Sequence, residues 1–149
     1  MKDFFPAYYD RFRCLAGACP DSCCQEWDVD VDSNSAKRYR ALPGELGDAL
    51  RAALTDTEDG TVLTQTSGRC PMWRQDGLCR IQAELGEQAL CHVCRTFPRL
   101  THEYEGFTEH ALELSCPEAA RLILTEAPGR WIPEAEGDLG FLVRSREQA

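Results

Sequence analysis

The chain has 149 residues, enough for one domain with a modest core, and carries 16 basic against 25 acidic residues, a net charge of −9. Such a surface repels phosphates, which sets nucleic acid aside as a partner and leaves a protein partner as the better fit. The apolar residues, 43% of the chain, fall in runs too short to span a membrane, and the opening "MKDFFPAYYDRFRC" lacks the apolar core and cleavage site of a signal peptide, so the expected setting is the cytoplasm with no membrane contact.

In chain order, residues 4–13 mix aromatics with charges and read as a short docking segment. "RCLAGACPDSCC" (13–24) holds four cysteines and reads as a loop, because Gly17, Pro20, Asp21 and Ser22 punctuate it. "EWDVDVD" (26–32) alternates apolar and acidic residues and predicts a short strand. Ser33, Asn34 and Ser35 are candidate caps for a helix near 35–41, which Pro43 and Gly44 interrupt. "ELGDALRAAL" (45–54) places Leu46, Ala49, Leu50, Ala53 and Leu54 on one helical face. "TDTEDG" (55–60) reads as a turn and "TVLTQT" (61–66) as a strand. "GRCPMWRQDGLCRI" (68–81) sets Cys70 and Cys79 on either side of an Asp-Gly turn. Residues 81–97 predict a helix broken at Gly86 and ended by Pro98. Residues 99–114 predict a hairpin around Glu105-Gly106, and 115–127 a helix capped by Ser115 or Cys116 with Pro117 in its first turn. The predicted class is therefore a small, loop-rich, metal-stapled α+β domain with short helices and a β-hairpin. The metal-binding domain covers 1–127, and 128–149 form a tail or the start of a truncated region.

Nine cysteines are many for a chain expected in a reducing compartment, where structural disulfides are disfavoured, and an odd count leaves one thiol unpaired in any full disulfide framework. Metal binding is the leading reading, since converging soft thiolates hold a metal and its binding free energy becomes folding free energy. The turn between Cys70 and Cys79 brings two sulfurs together. Cys91 and Cys94 share one helix turn, and Cys116 sits at a helix start whose N–H groups favour a thiolate. The spacing of Cys14, Cys19 and Cys23 matches neither the ferredoxin run nor the C-x3-C-x2-C run of radical enzymes, where Glu26 stands at the required position. Spacing alone leaves zinc and iron–sulfur both open. "CHVC" (91–94) lacks the strand that precedes a thioredoxin-like redox pair. His92, inside that pair, is the best placed of the histidines; His102 and His110 read as surface or packing residues.

The segments "PAYYDRFRC", "CPDSCCQEWDVDVD", "GRCPMWRQDGLCRIQAELGEQALCHVCRTFPR" and "LELSCPEAARLIL" together resemble the flagellin lysine-N-methylase family, in the same order and over most of residues 6–124. More distantly, the framework is similar to a broader family of zinc- or iron-chelating cysteine-cluster proteins. That pattern lands on Cys14, Cys19, Cys23, Cys24, Cys70, Cys79, Cys94 and Cys116, with Cys91 belonging to the methylase-like version alone. The resemblance implies a [4Fe–4S] cluster, with zinc as the alternative, and methyl transfer from S-adenosylmethionine to lysine side chains of a protein substrate, flagellin. It also implies that the chain is a truncated or minimal version of longer relatives. The alternative function is a non-catalytic zinc or iron–sulfur module for protein binding or redox sensing. Asp28, Asp30, Asp32, Glu84 and Glu103 are candidates to guide a cationic lysine, and Trp27, Trp73 and Tyr104 to wall its channel by cation–π contact. The plainer readings are a solvated face and core packing. No glycine-rich strand-to-helix turn marks a nucleotide site, so neither a catalytic residue nor an S-adenosylmethionine pocket is located.

Overall fold

The computed structural model describes residues 2–126; the expected tail over 128–149 lies outside the described residues. The chain is α+β, with two three-stranded sheets and five short helices. In the first sheet, β1 (Lys2–Phe4) lies parallel to β6 (Phe107–Leu112), which pairs antiparallel with β5 (Arg99–Tyr104). In the second, β4 (Gly60–Leu63) is central, antiparallel to both β2 (Val29–Val31) and β3 (Leu54–Thr57). The helices are α1 (Ser33–Ala41), α2 (Gly44–Ala53), α3 (Arg80–Leu85), α4 (His92–Thr96) and α5 (Pro117–Thr125). None of these helices is long and apolar enough to cross a membrane.

The larger core forms where the second sheet meets α1 and α2. Val29 and Val31 alternate inward from β2, Leu63 comes from β4, and Ala36, Tyr39, Leu46 and Leu50 come from the helices; Leu50 is fully buried. Cys70, Met72, Ile81, Leu90 and Cys91 continue this core, so the cysteine loops are part of it. A smaller core joins Phe12 and Leu112 to Cys116, Ala119 and Leu122 of α5. Phe97, partly buried, packs against this second core, and Pro98 is fully buried beside it in sequence, at the entrance to β5.

Several expectations are corrected. The segment over 4–13 is no free docking arm: Phe4 enters β1, Tyr9–Arg11 form a 3₁₀ turn, and Phe12 is buried in the second core. The cap of α1 is Asp32, whose Oδ1 accepts the Ser35 N–H at 3.0 Å, in place of Ser33, Asn34 or Ser35. A carboxylate at this position also complements the positive end of the helix. The stretch read as a turn over 55–60 is mostly strand, since Thr55–Thr57 pair with β4 and leave only Glu58 and Asp59 to turn. Its exposed Thr and Asp side chains hide the pattern by which a half-buried strand is recognised. The helix over 81–97 does break at Gly86, which takes φ +84°, but the part beyond it is a 3₁₀ turn at Glu87–Ala89 followed by the short α4. The hairpin around Glu105-Gly106 and the helix behind Pro117 form as predicted, the latter capped at Cys116.

One glycine fixes how α1 and α2 cross. A Cβ on Gly47 would lie 1.9 Å from the Leu42 carbonyl oxygen and 2.6 Å from its carbon, backbone atoms that cannot swing aside. Alanine ordinarily favours a helix interior over glycine by about 1 kcal/mol. Here Gly47→Ala is expected to destabilise the chain by about 1–3 kcal/mol through overpacking, seen as a lower urea midpoint at unchanged slope; an unchanged or raised midpoint would contradict the packing described.

Candidate metal centre and adjoining cleft

Two loops and one helix end carry the central thiols. The first loop, 14–24, is tied to the second by backbone bonds: Cys70 N donates to Cys24 O at 2.7 Å, and Glu26 N to Gly68 O at 2.9 Å. The second folds back on itself through Arg80 N to Met72 O at 2.6 Å and the Trp73–Cys79 bridge, around Gly77 at φ +80°. Gly17 packs against that turn, where a Cβ would stand 3.2 Å from Asp76 O. The third element begins at Cys91, the cap of α4, and reaches Cys94 one turn on. Asp32 fixes this helix start: its Oδ2 accepts the His92 N–H at 2.9 Å while its Oδ1 caps α1. Tyr39 helps from below, its hydroxyl donating to Ala89 O at 2.8 Å.

These elements place six thiols in one region, Cys23, Cys24, Cys70, Cys79, Cys91 and Cys94, each within electrostatic reach of several of the others. They form two proton-sharing pairs and two singles. The Cys24 thiol donates to Cys23, which lowers Cys23 to about 7 and raises Cys24. Cys94 stands to Cys91 in the same relation, lowering Cys91 to about 7 while Cys94 rises. Burial pushes Cys70 and Cys79 up, opposed by the backbone N–H of Met72 for the first and of Gln82 and Ile81 for the second. Burial likewise raises the Tyr39 hydroxyl, with Cys91 and Cys94 adding to it.

The other cysteines lie around this group. Cys116, raised by burial, belongs to the second core and has Cys19 and Cys23 as its thiol neighbours. Cys14 is exposed and accepts the Ala16 N–H at 3.4 Å. Cys91, which the broader pattern omits, is among the most buried residues of the chain at 1% exposure and stands inside the thiol group. Thiols gathered from three segments are the soft donor type that zinc or an iron–sulfur cluster takes. With the side chains as placed, no three His, Cys, Asp or Glu groups among the described residues close around one point. The chemistry of the donors fits a metal; the thiols, each still bonded to a sulfur or backbone neighbour, are not drawn into a ligand cage.

A cleft of about 570 Å³ adjoins the group, lined among others by Cys23, Glu26, Trp27, Phe97, Arg99 and Glu113. Its size lies within the about 300–1,000 Å³ typical of ligand-holding clefts. Trp27 is held in it by an indole N–H donated to Cys23 O at 2.8 Å. The carboxylates picked from the sequence do not gather here. Asp28 accepts the Gln65 N–H, Asp32 caps two helices, Glu84 pairs with Arg80 at 2.6 Å, and Asp30 and Glu103 are exposed on different sheets. Of the aromatic candidates, Trp27 lines the cleft, Trp73 lies under the Arg69 guanidinium at 4.2 Å, and Tyr104 stacks on Phe107 at the hairpin end. His92 and His102 are exposed; His110 stacks on Phe5 and reaches Asp3 at 3.0 Å. The acidic residues of the cleft, Asp21, Glu26 and Glu113, carried no spacing signal, since they are contributed by segments some 90 residues apart.

Comparison with known proteins follows the same segments. The chain is 33% identical over 134 residues to proteins named lysine-N-methylase from Salmonella typhimurium (strain LT2) and Salmonella choleraesuis, a match covering 81% of this chain and 32% of each relative. It is 34% identical over 134 residues to a flagellar biosynthetic protein, FliU, of Salmonella muenchen, covering 81% of this chain and 76% of that relative. The chain thus spans about a third of the length of the two lysine-N-methylases. No family model matches the chain, and no solved structure matches it.

The double acceptor Asp32 generates a pH prediction. The N–H groups of His92 and then Ser35 hold its carboxyl at about 2, below the about 3.9 of a free aspartate. A depressed folded value means that its contribution is complete above about pH 4 and is lost as pH falls from there toward 2. The stability difference between the parent and Asp32→Asn is therefore expected to be constant near neutrality and to shrink below about pH 4 in urea titrations. A difference that stays level to pH 3 would refute this role.

Proposed function

The chain belongs to the flagellin lysine-N-methylase family, and on that footing we propose that it takes part in methyl transfer from S-adenosylmethionine to lysine side chains of a protein substrate, flagellin, with the central thiols holding a metal. The observation that supports the metal reading is that cysteines from three separate segments are brought into one thiol-rich region beside the larger core. Cys23, Cys24, Cys70, Cys79, Cys91 and Cys94 are the residues that would hold it, with Cys19 and Cys116 adjoining. The preferred occupant is a [4Fe–4S] cluster and the alternative is zinc. Bound there, either would join the two loops to α4 and place positive charge among thiols that otherwise repel one another once ionised.

The transfer itself joins the lysine Nζ to the methyl carbon and breaks the methyl–sulfonium bond, leaving a neutral thioether. The ammonium proton must leave before attack, since a protonated amine has no lone pair to give. The protein's share is to orient the side chain and to let the ammonium proton pass to a carboxylate or to water as the lone pair turns to the methyl carbon. The cleft beside Cys23 supports this reading by its size and by the rigid Trp27 wall.

Anaerobic purification of the whole chain, followed by an absorption spectrum and iron, sulfide and zinc analysis, tests the metal. Cys70→Ser and Cys91→Ser are expected to lose most of the bound metal together with much of the folded circular-dichroism signal, whereas Cys14→Ser keeps both. A parent protein free of metal would end this reading, as would full loading of the Cys70 and Cys91 variants. Transfer of labelled methyl from S-adenosylmethionine to flagellin lysines tests the reaction; its absence in the metal-loaded chain would leave a non-catalytic metal module.

A further inference from the structure

We propose that the cleft beside the thiol group is the seat of the acceptor lysine, its ammonium held by the Glu26 and Glu113 carboxylates and its methylenes lying against Trp27 and Phe97. The proposal rests on the methyl-transfer reading above for the identity of the cation, and on the cleft for its place.

Charge inside the cleft narrows the class of occupant. Three carboxylates, Asp21, Glu26 and Glu113, face one guanidinium, that of Arg99. Arg99 is turned to the aromatic faces of Phe12 and Tyr9, 5.1 and 5.8 Å from their centroids. Asp21 is engaged locally, its Oδ1 accepting from Ser22 N at 2.8 Å and Gln25 Nε2 at 2.6 Å. Glu26 and Glu113 make no side-chain hydrogen bond or ion pair to a described residue. An anionic ligand would be repelled by these groups. A neutral apolar ligand would strip water from two carboxylates and return nothing for it. A cation on an apolar stem satisfies both parts of the wall, which is the shape of a lysine side chain.

The walls are also fixed in advance. Glu26 occupies the left-handed region at φ +64°, rare for a residue with a side chain, and its N–H is pinned to Gly68 O at 2.9 Å. The next residue, Trp27, is anchored through its indole to Cys23 O. Phe97 packs against the second core, which holds its ring in place, and Glu113 N is bonded to Pro98 O at 2.8 Å. The backbone that bears both carboxylates and the aromatic walls Trp27 and Phe97 is thus held by hydrogen bonds and core packing, while the carboxylates themselves stay open to a ligand.

Zero-length carbodiimide coupling to the full chain reads this site without needing turnover. The probe is a capped peptide with one lysine and no carboxylate; its norleucine analogue is the control. Peptide mapping is expected to find the amide cross-link at Glu26 or Glu113, suppressed by excess butyltrimethylammonium, a cation that cannot itself form an amide, and not by n-butanol. In parallel, the Glu26→Gln/Glu113→Gln variant is expected to raise KM for the protein substrate about tenfold, with kcat falling less, as for the loss of a charge-assisted contact. Cross-links confined to other exposed carboxylates such as Asp30 and Glu103 would overturn the proposal, as would a cross-link abolished by S-adenosylmethionine alone, which would assign the cleft to the co-substrate. Methyl transfer with unchanged KM in the double variant would overturn the cleft and leave the methyl-transfer reading standing. Cross-links at the cleft in a chain that transfers no methyl would support the cleft and end that reading instead.

Discussion

One carboxylate holds the two halves of the larger core in register. Asp32 ends β2 and caps α1 with one oxygen; with the other it receives the first N–H of α4. Without that bond, α4 would have no tie of this kind to the second sheet, and Cys91 and Cys94 would have no fixed height relative to the loops that bear Cys24, Cys70 and Cys79. Two short helices that are marginal alone are made definite by sharing an acceptor. A charged acceptor serving two backbone donors is stronger than either neutral cap would be.

The thiols show the same economy of parts. A chain of this length with helices of five to ten residues has little apolar surface to spend, and Cys70 and Cys91 serve as core residues next to Met72, Ile81 and Leu90. Burial disfavours the Cys70 thiolate, whereas Cys91, like Cys23, is lowered by the thiol of its pair partner despite its burial. The adjacent Cys23 and Cys24 point into two settings. Cys24 packs with the larger core, whereas Cys23 is exposed toward the cleft and its carbonyl anchors Trp27. That divergence lets one dipeptide belong at once to a thiol group and to a binding wall.

Much of the architecture was legible in the sequence. The β5–β6 hairpin announces itself by alternation around Glu105-Gly106, α2 by its leucine face, and α5 by Pro117 at its start. What escaped did so for physical reasons. β3 is an edge strand with one half-buried residue and three exposed ones, so it leaves no period-two trace. β1 gains its identity from β6, over a hundred residues away, and three residues cannot signal a partner at that distance. Asp32 was visible as an acidic residue but looked like part of the strand, and its second bond, to His92, is tertiary. The family resemblance carried over the cysteines as a set, and the structure then sorted them by depth, placing Cys91 at the centre and Cys14 at the rim. The cleft was out of reach, because its lining comes from segments such as 21–27, 93–100 and 113–115 that only the folded chain brings to one place.

The parallel pairing of β1 with β6 has a bearing on the order of events during synthesis. Lys2–Phe4 align with Phe107–Glu109, so they stay unpaired until a stretch more than a hundred positions later has been made. Until then the first sheet is a hairpin without its third strand, and the Phe12 side of the second core has no Leu112 or α5 to cover it. The loop with Cys14, Cys19, Cys23 and Cys24 follows this end in sequence, but its own ties run to the loop that carries Cys70. The pairing of the first sheet is therefore a late event, possible only after residue 107 has been made, whereas the bonds that tie Cys24 and Glu26 to Cys70 and Gly68 can close as soon as residue 70 is available.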